Sequence, residues 1–384
     1  MPLSRRSFLT SLGAGSAGLV AAPLIGWRGH ETVLAQGTAA RRADRLLASR
    51  PGVIRIDSNE NPNGPGERVY AVIRGHLSES NRYPVQSEDD LAAAIARVHG
   101  ILPDNVILGS GSGELLRAAV SAFTSHERAL VSPDPTFEAP AAWAKFIGAA
   151  VTAPRVDATL HLDLDAMVDA ARGAGLVYFC NPNNPTATVH SRAAVTGYVE
   201  RVGTLSPETT VLIDEAYHEY VDEPSYGTAI PLALANPRVV VTRTFSKVFG
   251  MAGLRIGYAI GQPATLTKMA AWLLGSNVSQ LSLVAAAAAV GDAQHIGVEQ
   301  RRNRATRAFT RRFFERAGYQ VAQSEANFMM VDLRRDAKQF KLDAIKHKVA
   351  VGRQFTALPN WVRVSVGTMP EMQKALEVFR VMLA

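Results

Sequence analysis

Residues 239–255 read VVVTRTFSKVFGMAGLR, and this stretch is the most informative in the chain. Its apolar, β-branched start is typical of a strand that is buried on both faces of a sheet. Lys247 follows, with the hydroxyls of Thr244 and Ser246 before it and Arg255 eight residues after it. A buried lysine with a lowered pKa can form a Schiff base, and hydroxyls with an arginine suit a phosphate. Alone, a Ser-Lys pair is more typical of a surface loop.

Two further apolar runs, residues 177–180 and 211–213, precede this one. The three runs begin 34 and then 28 residues apart, close to the length of one βαβ unit. They predict parallel strands in an α/β sheet. Each run ends in polar residues, which are Asn181, Asp214 and Arg243-Thr244. Because ligands of open α/β sheets bind beyond the carboxyl ends of the strands, we expect these residues to line one crevice.

Three other segments carry candidate site residues. Asp214 begins the segment DEAY and could keep a pyridine nitrogen protonated, or it could simply cap a helix. Asn184 lies in NPNNPT, where two Asn-Pro steps force a turn and the amide can donate to a phenolic oxygen. Residues 109–116, GSGSGELL, open an apolar helix whose glycines would expose N–H groups to an anion, although this could be an ordinary turn.

The last hundred residues have a different pattern. Leu281–Val290 is alanine-rich and predicts a helix. A second helix is predicted by an apolar stripe at Ala305, Phe309 and Phe313. The arginines between 301 and 312 fit a solvated helix face better than a polyanion site. Residues 361–366 alternate like a strand, and a final helix is expected from about Pro370.

Composition narrows the function classes. With 384 residues, 47% hydrophobic and 20% charged, the chain can form a large core and more than one domain. The one cysteine, Cys180, excludes an intramolecular disulfide and a cysteine-based zinc site. The net charge is +7, and residues 1–35 supply +2 of it. The remainder gives little support for binding nucleic acid or a membrane surface.

The N-terminus predicts export. Arg5 and Arg6 precede an uncharged stretch from Phe8 to Trp27, and Val33-Leu34-Ala35 fits a cleavage site before Gln36. This resembles a twin-arginine signal, the route for folded proteins. A general secretory signal or a membrane anchor are the alternatives, but glycines and a proline make the stretch a poor anchor.

Taken in this order, the segments resemble the aspartate-aminotransferase-like, type I fold, pyridoxal 5'-phosphate enzymes of aminotransferase class I/II. Within them the chain is most similar to the histidinol-phosphate aminotransferase group. Further matches are SNENP at 58–62, NRYP at 81–84, SEANF at 324–328 and VRVSVGT at 362–368. The resemblance runs from about residue 50 to the C-terminus.

The resemblance implies an α/β fold with a large, mostly parallel sheet domain and a smaller α+β domain formed from both chain ends. The expected layout is a signal peptide (1–35), a segment joining the small domain (36–80), a cofactor-binding domain (81–280) and a small domain (281–384). It also implies a homodimer with shared active sites. No metal, no nucleic acid and no stable membrane insertion after signal removal are expected.

The resemblance also implies roles for individual residues. Lys247 would form the Schiff base and act as the general base, with Asp214 on the pyridinium nitrogen. Tyr217 and Asn184 would contact the 3-oxygen of the ring. The phosphate would be held by Gly111, Ser112, Gly113, Thr244, Ser246 and Arg255, together with Tyr83 of the neighbouring subunit.

Four residues are expected around the ring and the substrate. Phe137 would stack on the cofactor ring, and Arg363 would bind the substrate carboxylate. Arg353 and Asn59 are further substrate-side candidates. Four of these assignments have a structural alternative. Phe137 could be a core aromatic residue, and Tyr83 a buried structural tyrosine. Arg353 could be a surface residue, and Asn59 a turn residue.

Some positions depart from the histidinol-phosphate group. Asn63 stands where that group usually has Tyr, Gly113 replaces an acidic residue, Ala187 replaces Gly and Phe137 replaces Tyr. These changes bear on the identity of the substrate and leave the Schiff-base chemistry intact. The predicted export also bears on the identity of the substrate, because histidine synthesis is cytoplasmic and an exported enzyme would be separated from that pathway.

The predicted function is therefore an aminotransferase that moves an amino group from an amino acid, or from a histidinol-phosphate-like amine, to a 2-oxo acid. The alternative is another reaction of the same cofactor at the α-carbon: racemisation, decarboxylation or elimination by a lyase. A non-catalytic binding protein of this fold is disfavoured, because Lys247 and Asp214 are both present.

Overall fold

The computed structural model describes residues 48–383, together with Arg42 and Leu46. The predicted signal, residues 1–35, lies outside the described residues. From Pro51 onward the chain forms one compact unit. The strands of the described part are β1 (Ile54–Ile56), β2 (Val106–Gly109), β3 (Leu130–Val131), β4 (Val151–Thr152), β5 (Leu176–Cys180), β6 (Thr210–Asp214), β7 (Val239–Thr244), β8 (Gly257–Ile260), β9 (Gln320–Val321), β10 (Phe328–Asp332), β11 (Val349–Val351) and β12 (Trp361–Ser365).

The helices of the same residues alternate with these strands over most of the chain. They are α1 (Glu67–Gly75), α2 (Val85–His99), α3 (Ser112–Phe123), α4 (Ala139–Phe146), α5 (Leu164–Ala170), α6 (Arg192–Leu205), α7 (Ile230–Ala235), α8 (Pro263–Ala270), α9 (Gln280–Val290), α10 (Ala293–Arg316), α11 (Ala337–Lys346) and α12 (Met369–Leu383). Short 3-10 helices occur at Leu77–Glu79, Pro103–Asn105, His218–Tyr220 and Ala252–Leu254.

A seven-stranded sheet forms the centre, in the order β2-β8-β7-β6-β5-β3-β4. Its strands are parallel except β8, which is antiparallel to both of its neighbours. The three apolar runs form β5, β6 and β7, and every residue of these strands is buried. The predicted strands and the predicted α/β class are confirmed. All-apolar strands fit here because helices cover both faces of the sheet.

Two smaller sheets lie outside this centre. β1 pairs in parallel with β11, and β12, β10 and β9 form an antiparallel sheet. The predicted strand near residue 361 is β12, and the predicted final helix is α12. A second hydrophobic core lies here, formed by residues such as Ile56, Val364 and Phe379.

The helix α10 exists as predicted, but its buried face differs from the predicted stripe. Ala305 is exposed, and Phe309 and Phe313 are half-buried. The fully covered positions include the polar residues Asn303, Thr306, Arg307 and Thr310. Polar side chains can occupy them because they bind their neighbours: Arg307, for example, pairs with Asp222. Other arginines of this helix also pair with carboxylates.

The domain boundaries at residues 80 and 280 stay predictions. Val69 of α1 and Leu283 of α9 both belong to the main hydrophobic core around the large sheet. Within residues 48–383, no single helix is both long and apolar enough to cross a membrane. Only α9 and α10 taken together pass that test, and they meet at a bend of 82°.

Helix α3 begins without a side-chain cap, as do α1, α2, α4 and α8. The side chains of Asp163, Ser191 and Ser279 cap α5, α6 and α9. α3 follows Gly111, which has a φ of 77° and no side chain to cap the helix. The first N–H groups of a helix lack intrahelical partners, so those of α3 remain available for an anion.

Candidate active site

The carboxyl ends of β5, β6 and β7 lie side by side. The sheet register pairs Cys180 with Asp214, and Asp214 with Thr242. The polar residues at the ends of the three strands are therefore neighbours in space, as the sequence predicted. Arg243 does not line the crevice, however, because its side chain points to the opposite face of the sheet and binds Glu215. The crevice forms at the edge of the sheet where parallel strands commonly present ligand-binding residues.

Asp214 is a buried carboxylate held by hydroxyl groups rather than by a cation. Tyr178 donates a hydrogen bond to its Oδ2 at 2.8 Å, and Thr242 donates to its Oδ1 at 3.2 Å. Burial raises the pKa of the Asp214 carboxyl to about 6, although these hydrogen bonds act in the opposite direction. Such a carboxylate would be stabilised by a cationic group of a ligand.

Lys247 lies in the turn after β7 and points toward the N-terminal segment. Its Nζ donates to the backbone oxygen of Asn59 at 3.1 Å and lies 5.4 Å from the centre of the Tyr217 ring. Burial, and secondly the Arg363 guanidinium, lowers the pKa of the Lys247 amine to about 8. A substantial fraction of the amine is then neutral near physiological pH, and a neutral amine is a nucleophile and a base.

Asn59 connects the N-terminal segment to Tyr217 and to β12. Its Nδ2 donates to the Tyr217 hydroxyl at 3.1 Å, and its Oδ1 accepts a hydrogen bond from Ser365 at 2.8 Å. Asn327 donates to the Asn59 backbone oxygen at 3.1 Å. Asn59 has a φ of 54°, a left-handed conformation that asparagine tolerates better than most residues. Asn59 therefore links these segments through its side chain, in addition to adopting a turn conformation.

A cradle of N–H groups, hydroxyls and one guanidinium lies at the start of α3. The Arg255 Nη1 contacts the Ser246 hydroxyl at 3.3 Å, and the Thr244 hydroxyl accepts from the Ser246 backbone N–H at 3.1 Å. A Cβ added to Gly111 would lie 2.2 Å from Arg255 Nη2, so only glycine lets the guanidinium reach this position. Donors grouped in this way suit a phosphate.

Arg363 reaches the same crevice from β12. Its Nη1 donates to Asn184 Oδ1 at 2.8 Å, and its Nη2 donates to the Asp57 backbone oxygen at 2.7 Å. Its Nε is buried and has no hydrogen-bond partner in the structure. A buried, unpartnered N–H of a guanidinium is costly, and an anionic ligand would satisfy it. The contact also occupies the Asn184 oxygen and leaves the amide of that residue as a donor.

Comparison with known proteins identifies the family. Residues 51–379 match the model of aminotransferase class I and II. The chain belongs to this family. It is 34% identical over 360 residues to a histidinol-phosphate aminotransferase of Symbiobacterium thermophilum, covering 90% of this chain and 98% of the relative. It is also 34% identical over 335 residues to histidinol-phosphate aminotransferase 1 of Nitrosococcus oceani, covering 86% and 89%.

Solved structures support the fold. The chain superposes on the histidinol-phosphate aminotransferase of Sinorhizobium meliloti in complex with pyridoxal-5'-phosphate, with a TM-score of 0.82, 24% identity and coverage of 89% of this chain and 94% of the other. For the aspartate aminotransferase of Thermotoga maritima the TM-score is 0.80, with 20% identity and coverage of 91% and 96%. The predicted type I fold and the predicted transaminase class are both confirmed.

Three predicted site residues of this aminotransferase are at least partly exposed, although Arg353 lies against the same Phe355 ring as Arg363. Arg353 forms an ion pair with Glu138, and its guanidinium lies 4.2 Å from the centre of the Phe355 ring. Phe137 is 36% exposed and Tyr83 is 86% exposed. Tyr83 is therefore not the buried tyrosine of its structural alternative.

Of the departures from the histidinol-phosphate group, two have clear structural settings. A Cβ at Gly113 would meet nothing within 4 Å, so the loss of an acidic side chain leaves the backbone of the cradle unchanged. Asn63 donates to the buried Glu299 at 2.8 Å. The segment that carries Asn59 is thereby attached to α10.

Sequence reasoning missed three residues that shape the site. Tyr178 contacts Asp214, and Ser365 contacts Asn59. Asn327 donates to the backbone oxygen of Asn59, which also accepts a hydrogen bond from Lys247. Ser365 and Asn327 both lie in segments that matched the family, so position in a motif was a usable signal. Tyr178 lies inside an apolar strand, where nothing in the sequence separates it from a core aromatic residue.

Proposed function

We propose that this aminotransferase uses pyridoxal 5'-phosphate to move an amino group from an amino acid, or a histidinol-phosphate-like amine, to a 2-oxo acid. The observation that carries the proposal is the convergence of three unlike groups in one crevice. These are the Lys247 amine with a lowered pKa, the buried Asp214 carboxylate and the anion cradle beside Arg255.

The residues present fit this cofactor. The glycine at position 111 leaves room for Arg255, and the uncapped start of α3 offers N–H groups to a phosphate. Asp214 is held by two hydroxyls and the Ala216 backbone N–H and lacks the cation that a protonated pyridine nitrogen would supply. Gly111, Ser112, Gly113, Thr244, Ser246 and Arg255 would hold the phosphate, and Tyr217 and Asn184 the 3-oxygen. Phe137 would lie against the ring.

When bound, the cofactor withdraws electrons from the substrate α-carbon and makes its C–H bond acidic. Lys247 would hold the cofactor and then, once released, take and return the proton at that carbon. Its lowered pKa suits this task, because the amine is a base near neutral pH without needing a further activating group. Asp214 would keep the ring nitrogen protonated.

Arg363 would bind and orient the substrate carboxylate. Its buried Nε has no hydrogen-bond partner among the described residues and would gain one from an anion. The ring centres of Phe328 and Phe355 lie 5.6 Å and 5.7 Å from the guanidinium carbon, so its surroundings are largely apolar. An ion pair formed in this apolar setting is strong, since little water screens it. Arg353 and Asn59 would complete the substrate side.

The experiment that tests the proposal measures the transfer of a labelled amino nitrogen from donor to acceptor. The protein with added pyridoxal phosphate is incubated with single amino acids or histidinol phosphate, each isotopically labelled at the amine, and then with single 2-oxo acids. We expect one donor to label the amino acid formed from one acceptor, with a reversible change in the visible absorbance of the cofactor. Lys247→Ala serves as the blank. An absorbance change without nitrogen transfer would favour a racemase, decarboxylase or lyase instead.

We also propose that the enzyme is a homodimer with shared sites. The support is the exposure of Tyr83, an aromatic side chain that would reach the phosphate of the neighbouring subunit. Mixed dimers of Lys247→Ala and Tyr83→Phe chains test this, because one of their two sites would have both Lys247 and Tyr83. Activity above that of either parent supports the shared site, and no gain over the parents contradicts it.

We propose further that the protein is exported through the twin-arginine route, which suits a cofactor loaded before transport. The support is the adjacent Arg5 and Arg6 before an uncharged stretch. Replacement of both by lysine is expected to retain the protein in the cytoplasm, while Arg28→Lys is the matched control outside the pair. Export of the double lysine variant at the normal level would contradict the proposal.

A further inference from the structure

Tyr178 is a fully buried tyrosine in the middle of β5, below the crevice. Its hydroxyl donates to Asp214 Oδ2 at 2.8 Å. Residues 178 and 180 share a face of the strand, and Cys180 is the register partner of Asp214. The hydrophobic cluster that contains Tyr178 and Cys180 also contains Leu115, Leu212 and Val240. A charged carboxylate therefore meets an otherwise apolar layer, and Tyr178 supplies a donor from within it.

We propose that Tyr178 is a positioning residue, which fixes the orientation of the Asp214 carboxylate and favours its charged form. The proposal rests on the proposed function in one respect, because Asp214 matters to catalysis only if it pairs with the cofactor. The hydrogen bond itself and its effect on the carboxylate are independent of that pairing.

The physical reason is the pairing of a strong donor with a desolvated anion. Hydrogen bonds to a charged acceptor are shorter and stronger than neutral ones, most of all where water is excluded. The other oxygen of Asp214 has the longer bond from Thr242, at 3.2 Å. Burial raises the pKa of the Tyr178 hydroxyl well above its ordinary value, so this group remains a donor at every working pH.

The titratable groups around Asp214 are few. Tyr178 and Cys180 face it from β5, Tyr217 follows β6, and Lys247 follows β7. Burial raises the pKa of Cys180 and of both tyrosines, so all three remain neutral near pH 7. Only Asp214 and Lys247 then change charge in this range, and their titrations can be separated by variants of each.

The test compares Tyr178→Phe with Tyr198→Phe. Both residues are fully buried tyrosines, but within the described part of the chain the Tyr198 hydroxyl has no hydrogen-bond partner. The control therefore removes the same atom from the same residue type without touching Asp214. Thr242→Val removes the longer bond and is the second test variant.

The first readout is the pKa of the Asp214 carboxyl in the cofactor-free protein, from infrared difference spectra against Asp214→Asn. Tyr178→Phe is expected to raise this pKa by about one to two pH units, the equivalent of a lost hydrogen bond to a charged group. Thr242→Val should raise it by less, and Tyr198→Phe should leave it unchanged. No shift in Tyr178→Phe, or an equal shift in Tyr198→Phe, would overturn the proposal.

The second readout is the pH profile of the loaded enzyme. The acidic limb of kcat is expected to move upward in Tyr178→Phe by the same amount as the carboxyl pKa, with the KM for the donor nearly unchanged. A merely structural role would lower kcat at all pH values and leave the limb in place, and that result would overturn the proposal.

Asp214→Asn separates this proposal from the proposed function. If Asp214→Asn transaminates as fast as the unaltered protein, the assigned role of Asp214 in the reaction fails. The carboxyl pKa in the cofactor-free Tyr178→Phe variant would still report the hydrogen bond.

Discussion

Asp214 and Glu215 are adjacent buried carboxylates, yet the fold gives them opposite surroundings. Glu215 accepts two bonds from the Arg243 guanidinium at 2.8 Å and 3.0 Å, and a third from the Ala229 backbone N–H. Asp214 has the hydroxyls of Tyr178 and Thr242 and the Ala216 backbone N–H, and no guanidinium. Successive side chains along a strand point to opposite faces. We call the side of Asp214 the site face and the side of Glu215 the back face.

This difference shows which of the two carboxylates has its counter-charge within the chain and which needs one from a ligand. The back face carries its own cation, so its charges are neutralised within the chain. The site face bears a carboxylate whose pKa is raised by burial and whose counter-charge must come from elsewhere. Changes on the site face are therefore expected to affect chemistry, and changes on the back face to affect folding.

The largest effect is expected from Lys247→Ala on the site face. Turnover should fall by more than about 10⁴-fold, because one amine both holds the cofactor and moves the proton. The thermal stability of the cofactor-free protein should not fall, since a buried amine with a depressed pKa is removed. Single-turnover assays measure the first quantity, and Lys268→Ala, at an exposed lysine, is the control. Retained turnover would contradict the assignment.

Asp214→Asn should lower kcat by about 10²- to 10³-fold, the usual effect of losing one preorganised electrostatic contact in an active site. Cofactor binding should persist, because the phosphate cradle is unchanged. Steady-state kinetics with saturating cofactor provide the measurement. If Glu215→Gln lowered kcat as much as Asp214→Asn and left the stability unchanged, the division into a site face and a back face would be wrong.

Arg243→Met on the back face should destabilise the fold by about 3–5 kcal/mol, because it removes the guanidinium that pairs with the buried Glu215 charge. The free energy of unfolding in urea is the quantity to measure. Arg238→Met is the matched control, since its pair with Glu208 lies at the surface and contributes about 1 kcal/mol or less. Equal losses in both variants would show that burial of the pair does not matter.

The pH dependence of stability sharpens the comparison. The Asp214 pKa is about 6 in the folded chain, against an ordinary value of 3.8. Between about pH 4 and 6 the unfolded chain ionises this carboxyl while the folded chain retains the proton, so stability falls as pH rises. The difference amounts to about 3 kcal/mol. Urea denaturation of the cofactor-free protein across this window should give a flatter profile for Asp214→Asn, and an unchanged profile would exclude the raised pKa.

The smallest effect is expected from Arg363→Ala, which removes one group that binds substrate. The KM for the amino donor should rise by about 10- to 100-fold, the equivalent of one lost charge-assisted interaction. The kcat should change less, which distinguishes binding from proton transfer. An unchanged KM would mean that another residue holds the carboxylate.

The sequence predicted the centre of the fold well. The strands β5, β6 and β7 were identified because strands covered on both faces are apolar throughout. The lysine, the aspartate and the glycine loop were found because each follows such a strand or opens a helix. The stripe on α10 was wrong at Ala305. The buried face carries polar residues that hydrophobic spacing does not register, because Arg307 finds a partner in Asp222 and Thr310 in the Thr306 backbone oxygen.

Sequence by itself determined the order of the elements and the chemical groups at the ends of the strands, because local hydrophobicity and turn residues encode both. The tertiary structure alone decided how distant groups meet. Asn59 contacts Tyr217 across 158 residues of chain, and Arg363 contacts Asn184 across 179. Buried polar groups need partners, and those partners are available only once the segments that carry Asn59 and Arg363 have packed against the central sheet.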